Sequence, residues 1–181
     1  MRVISGTCRS LQLKTPKGDH TRPTQDRIKE TLFNMINAYV PYSVFVDVFS
    51  GSGGIGIEAL SRGAKHAYFL DNDKDALKCI EDNLKFTKLT NDATVLRGDF
   101  VASLSSIKEE HVDIIFADPP YQQGLEERLF LALSKASYVD EDTIIILEAS
   151  IDKKFDFDGF RIEKEKIYKT NKHIFLRRVY E

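Results

Sequence analysis

Apolar positions along this chain change period several times, and each change predicts an element. Val44 to Val48 is a nearly unbroken run of β-branched and aromatic side chains, the pattern of a strand buried on both faces of a parallel sheet. Gly51, Gly53, Gly54 and Gly56 follow, and Ile57 to Leu60 begin a helical pattern that ends at Arg62-Gly63, with Gly63 as C-cap. His66 to Leu70, Thr94 to Arg97, Val112 to Ala117 and Thr143 to Leu147 are four further strand-like runs. Between them, Ala76, Leu77, Ile80 and Leu84 share one face of a helix that starts at Asp73 or Asp75 and reaches about Lys88. A short helix follows Gly98-Asp99-Phe100, and another covers Leu125 to Ser137. Upstream, Ile28, Leu32, Met35, Ile36 and Tyr39 recur at helical spacing from an N-cap at Thr24, which predicts a core-packed helix closed by Pro41. The first 15 residues predict two short strands around a loop containing Gly6, followed by a turn cluster at Pro16, Gly18 and Asp19. At the other end, β-rich runs at 160–169 and 173–180 flank Asn171-Lys172, a predicted hairpin turn.

Strands alternating with helices imply a mostly parallel sheet covered on both faces, and the closing hairpin adds an antiparallel edge. The 181 residues suit one α/β domain with a short appendage. The expected division is an N-terminal β-hairpin extension over 1–21 and a main domain over 22–181.

Composition adds little until charge is mapped along the chain. At 42% hydrophobic and 30% charged the sequence is ordinary for a globular protein. No apolar run reaches the roughly 20 residues needed to span a bilayer, and the N-terminus lacks a signal-peptide pattern. Cys8 and Cys79 lie far apart, so the cytoplasm is the expected compartment, without a disulfide. The net charge of -2 hides a segregation. Residues 1–30 and 161–181 each hold seven Lys/Arg against three acids, while the middle is acidic. Basic ends of this kind suit either a solvated surface or a rim that meets a phosphate backbone.

The candidate chemistry lies where strands end. Ligands of open α/β sheets bind beyond the carboxyl ends of the strands, and here those ends carry Asp47, Asp71, Asp99 and Asp118. Gly51, Gly53 and Gly56 satisfy G-x-G-x-x-G with Asp71 twenty residues after Gly51, a pattern shared with dinucleotide folds. Asp47 at the mouth of that turn repels a pyrophosphate but attracts an ammonium or sulfonium, which favours S-adenosylmethionine. Its methionine part would lie over the glycines, its ribose at Asp71, and its adenine at Asp99 and Phe100. Asp118-Pro119-Pro120-Tyr121 is the most specific signal. Two prolines lock φ and remove two donors, leaving stiff acceptors. The Asp118 carboxylate and Pro119 carbonyl can hold a planar amine, and Tyr121 offers a stacking face. Catalysis would rest on positioning and electrostatic support.

These residues resemble the class I S-adenosylmethionine-dependent methyltransferases of amino nitrogens, with their (Asp/Asn/Ser)-Pro-Pro-(Tyr/Phe) motif. More closely, the chain is similar to the RsmD family, which modifies a guanine N2 in 16S ribosomal RNA. The likeness spans the opening Met-Arg-Val-Ile-Ser-Gly, Arg22-Pro23-Thr24, Asp26-Arg27, Glu30 to Asn34, Asp47 to Gly53, Glu58 to Gly63 and Asp118 to Tyr121. Position 8 is Cys, where many relatives carry an aromatic. The resemblance implies a Rossmann-like fold, with a mostly parallel seven-stranded sheet, an antiparallel C-terminal hairpin and a small N-terminal β-hairpin. It implies that Asp47, Gly51 and Gly53 hold the methionine end, with Ser50, Ser52, Asn72 and Asp118 also among the cofactor residues. Asp71 would bind ribose, and Asp99 and Phe100 adenine. Asp118, Pro119, Pro120 and Tyr121 would receive the guanine, swung out of its stack. Arg2, Arg9, Arg22 and Thr24 would contact the substrate. The implied partners are 16S rRNA in the small subunit or an assembly intermediate, and adjacent ribosomal proteins, with no metal and no membrane. The four scattered histidines suggest no ligand set.

Three other readings share parts of this pattern. One is another amino-methyltransferase, acting on adenine N6 of DNA or on protein glutamine. Another is an NAD-dependent oxidoreductase, supported by the glycines alone. The third is an RNA-binding module with a relic pocket.

Overall fold

The apolar runs pair into one seven-stranded sheet in the order β3-β2-β1-β4-β5-β7-β6. In the computed structural model β1 (Val44–Val48), β2 (His66–Asp71), β3 (Ala93–Arg97), β4 (Ile114–Ala117) and β5 (Ile144–Ser150) run parallel. Antiparallel to β5 runs β7 (Asn171–Arg178), and β6 (Phe160–Ile167) forms the edge. The described residues are 1–16, 23–120 and 124–180, without the side chains of Pro23 and Thr24. The predicted turn at Gly18 and Asp19 lies outside them, as do the candidate residues Arg22 and Tyr121 and the Thr24 side chain.

Strand order reverses between β1 and β4, so the glycine turn after β1 and the Asp118-Pro119-Pro120 segment after β4 open side by side. Side chains alternate across each strand. Val46, Val48, Ile115, Ile145 and Leu147 join the core under α4 (Phe100–Ser106) and α5 (Leu125–Lys135). On the other face Phe45, Phe69, Ile114, Phe116, Ile146 and Phe175 pack beneath α1 (Pro23–Ile36), α2 (Gly54–Ser61) and α3 (Lys74–Thr87).

Several boundaries differ from the periodicity, each for a local reason. The first helix tightens into a 3-10 turn at Asn37–Tyr39. That rotates Tyr39 off the apolar stripe, leaving it 54% exposed rather than in the core. The strand predicted to stop at Leu147 runs to Ser150, because β7 continues to pair with Glu148, Ala149 and Ser150. Asn171 and Lys172 open β7 instead of forming the turn, and the Tyr168 N–H closes the reversal by donating to the Asn171 carbonyl at 2.8 Å.

The N-terminal pair of strands reduces to one antiparallel bridge, Arg2 to Gln12, flanked by Val3 N–H to Leu11 O and Leu13 N–H to Met1 O. This segment packs along α2, with Val3, Cys8 and Leu13 buried in the same core as Phe33 and Ile57. Its backbone is satisfied by α2 side chains. Glu58 accepts from Ile4 and Ser5 N–H at 2.9 and 3.1 Å, and Ser61 Oγ accepts from Cys8 N–H at 2.9 Å.

Candidate active site

The glycine turn is shaped by backbone that side chains would obstruct. Gly51 and Gly53 take φ +58° and +82°, the left-handed region that favours glycine. A Cβ at Gly56 would stand 2.4 Å from the Phe69 ring, so the start of α2 approaches β2 closely through glycine alone. A Cβ at Gly51 would meet nothing within 4 Å, so this side of the turn is open.

Two aspartates tie the turn down. Asp47 is 1% exposed and accepts the Gly56 N–H at 3.0 Å, so it lies beneath the turn rather than at its mouth. Burial raises its pKa well above the usual carboxylate range, opposed by that N–H and reinforced by Asp71. Asp71, at the end of β2, accepts from Gly51 N–H and Asp73 N–H, both at 2.9 Å. An ionised carboxylate has about four acceptor positions, so Asp71 keeps capacity for ligand hydroxyls. Ser50 Oγ accepts from Leu70 N–H and donates to the Asp47 carbonyl, locking the turn to β1 and β2. Ser52 is buried, and its carbonyl accepts from Asn83 Nδ2 at 2.9 Å, while Asn72 is exposed.

Asp99 caps α4 by accepting from Val101 and Ala102 N–H, and its other oxygen pairs with Arg128 at 3.1 Å. The Arg128 guanidinium holds its carboxyl below the usual range. Phe100 is buried, with Arg128 5.0 Å over its ring and Phe49 4.8 Å away. The half-buried Phe49 ring is therefore an aromatic neighbour of Phe100 that periodicity did not reveal.

Beyond β4 lies a cleft of about 920 Å³ walled by α1 and by the reversal between β6 and β7. Asp118, Glu148, Tyr168, Lys169 and His173 line it, with Arg27 and Lys29 from α1. Asp118 is exposed to the cleft, between the buried Ala117 and Pro119. Lost hydration, the adjacent Glu148 carboxylate and the Asp47 charge push its pKa well above the usual carboxylate range. Glu148 faces His173 across β5 and β7, with Oε1 2.6 Å from Nε2, and the Tyr168 hydroxyl stands 3.1 Å from His173 Nδ1. Neither Glu148 nor His173 was a sequence candidate. The signal in the sequence is the first polar residue after the apolar run 143–147, and β5 continues three residues beyond that run, to Ser150.

The substrate candidates separate. Arg2 lies near the cleft, beside Met1 in its wall, and pairs with Asp26 at 3.6 Å. Arg9 is exposed on the loop docked at Ser61, the far end of α2 from the glycine turn. No metal-binding group of His, Cys, Asp or Glu occurs among the described residues, and no helix there is long and apolar enough to cross a membrane.

Comparison with known proteins gives the family of the chain. Residues 1–177 match the family described as conserved hypothetical protein 95. The Bacillus subtilis protein YlbH is 41% identical over 150 residues, 82% of each chain. The Haemophilus influenzae ribosomal RNA small subunit methyltransferase D is 35% identical over 84% of this chain and 80% of its own. An Escherichia coli protein of known structure superposes with a TM-score of 0.85 at 28% identity, covering 100% of this chain and 99% of that one. The family match over residues 1–177 and the sequence likeness to these relatives place this chain in the RsmD family.

Proposed function

We propose that the chain transfers a methyl group from S-adenosylmethionine to the exocyclic N2 amine of a guanine in 16S rRNA of the small ribosomal subunit. One observation carries the reading: Asp118, in a stiff Pro-Pro segment, opens into a cleft of about 920 Å³, roomy enough for a flipped-out nucleotide, beside the glycine turn at the switch point of the sheet. The names of relatives support it, since several are ribosomal RNA small subunit methyltransferases.

The chain's own residues fit this cofactor. The open face of Gly51, in the turn that Asp47 and Ser50 fix from below, accepts the methionine end. Asp71 takes the ribose hydroxyls and Asp99 the adenine amine, beside Phe49 and Phe100. S-adenosylmethionine, when bound, supplies the electrophilic methyl group. Asp118 and the Pro119 carbonyl hold the amine so that its nitrogen lone pair, otherwise delocalised into the base, points at that methyl. Tyr121 stacks on the base. The N-terminal segment and Arg27 with Lys169 supply contacts to the flanking phosphates.

The test is transfer of labelled methyl to small subunits that lack their native modification, followed by nucleoside analysis. N2-methylguanosine at one site is expected, and label confined to DNA or protein would overturn the reading. Asp118→Ala should abolish transfer while calorimetry shows cofactor affinity nearly intact. Wild-type activity in that variant would remove Asp118 from the reaction.

A further inference from the structure

We propose that Glu148, held by His173 and Tyr168, is a positioning residue that shares a proton with Asp118 and receives the one the acceptor amine gives up. This rests on the methyl-transfer reading above and adds to it where the proton goes.

The geometry is specific. The last paired residues of β4 and β5 are Ala117 and Leu147, so Asp118 and Glu148 emerge next to one another on the same face of the sheet. Both side chains line the same cleft, and two carboxyl groups held this close relieve their repulsion by sharing a proton. Behind Glu148, the His173 side chain is 0% exposed. A carboxylate oxygen accepts, so His173 Nε2 is the donor to Oε1, and the tautomer that makes this bond leaves Nδ1 to accept from the Tyr168 hydroxyl. Burial and the Glu148 charge push the Tyr168 pKa up to about 12, which keeps that hydroxyl a donor. Phe116 and Tyr168 hold the imidazole edge-on, with centroids at 5.7 and 5.0 Å. Asp47 from β1 also faces Asp118, and Arg27 and Lys29 from α1 and Lys169 line the same cleft.

The balance follows. When the amine nitrogen bonds the methyl carbon, the carbon–sulfur bond breaks and its electron pair stays on sulfur. The nitrogen then carries one proton too many. That proton passes by way of Asp118, which touches the amine, to Glu148, and the Asp118–Glu148 pair, holding one proton before transfer, holds two after it. Release of one to water in the cleft resets the pair.

The experiment follows the Asp118 carboxyl by ¹³C NMR across pH in labelled wild type and Glu148→Gln, with Asp118→Asn to assign the signal, and measures methyl transfer in parallel. In Glu148→Gln the Asp118 midpoint should fall by about one pH unit or more. Transfer should slow roughly a hundredfold with KM for the RNA nearly unchanged. Tyr168→Phe, which keeps the ring against His173, should move the midpoint less; it replaces Glu148→Gln if that variant does not fold. An unchanged midpoint, or a shifted midpoint with full transfer rate, overturns the proposal. A shifted midpoint in a protein that methylates no guanine supports the carboxyl pair and overturns the functional reading instead.

Discussion

Asp47 occupies the centre of the parallel sheet, where a charge is expensive. Its pKa is raised, so the folded state binds its proton more tightly than the unfolded chain does. Stability is therefore lost as pH climbs above the usual value of 3.8 towards the folded one. Asp47→Asn keeps an acceptor for the Gly56 N–H and removes the titration. Its melting temperature relative to wild type should rise from about pH 4 to about pH 8. Parallel curves for the two proteins would show that Asp47 does not titrate there. The acid was legible at the end of a strand-like run, but its place beneath the turn was not. Alternation puts its side chain with Phe45 on the α2 face, and only the packing of α2 shows that Gly56 closes over it.

Three elements meet at Glu58 in α2. Its carboxylate is 0% exposed and binds Lys29 of α1 at 3.3 Å and Arg62 at 2.8 Å, besides the two N-terminal amides. Lys29 also donates to the Arg2 carbonyl at 2.6 Å. Burial pulls the Lys29 pKa down against the opposing pull of Glu58. Removing one partner of a buried pair strands the other, so Glu58→Gln should cost about 3–5 kcal/mol in urea unfolding. The double change Lys29→Met with Glu58→Gln should recover part of that loss. A cost under about 1 kcal/mol would mean the cluster does not anchor the N-terminal segment. The sequence showed an acid inside an apolar helical run, without a sign that Lys29, 29 positions earlier, was its partner.

Over the whole molecule, the basic ends do not form one rim. Arg2, Arg27 and Lys169 gather around the cleft, whereas Arg9 lies at the other end of α2. Replacing Arg2, Arg27 and Lys169 together with Gln should lower the slope of log affinity for rRNA against log salt by about two to three. Arg9→Gln should lower it by less than one. Equal effects per residue would mean the phosphate contacts are spread over both ends.

Periodicity and glycine placement determined the element order, the parallel core and the acids at the strand ends, because strand burial and tight turns impose local residue choices that survive without partners. The Asp-Pro-Pro-Tyr signal likewise carries its stiffness in adjacent residues. What tertiary structure alone decided is which side chains from distant strands share a face. Glu148 and His173 lie on strands 25 residues apart and become neighbours only through antiparallel β5–β7 pairing. Register across strands depends on contacts between segments, and a single chain read in order does not contain it.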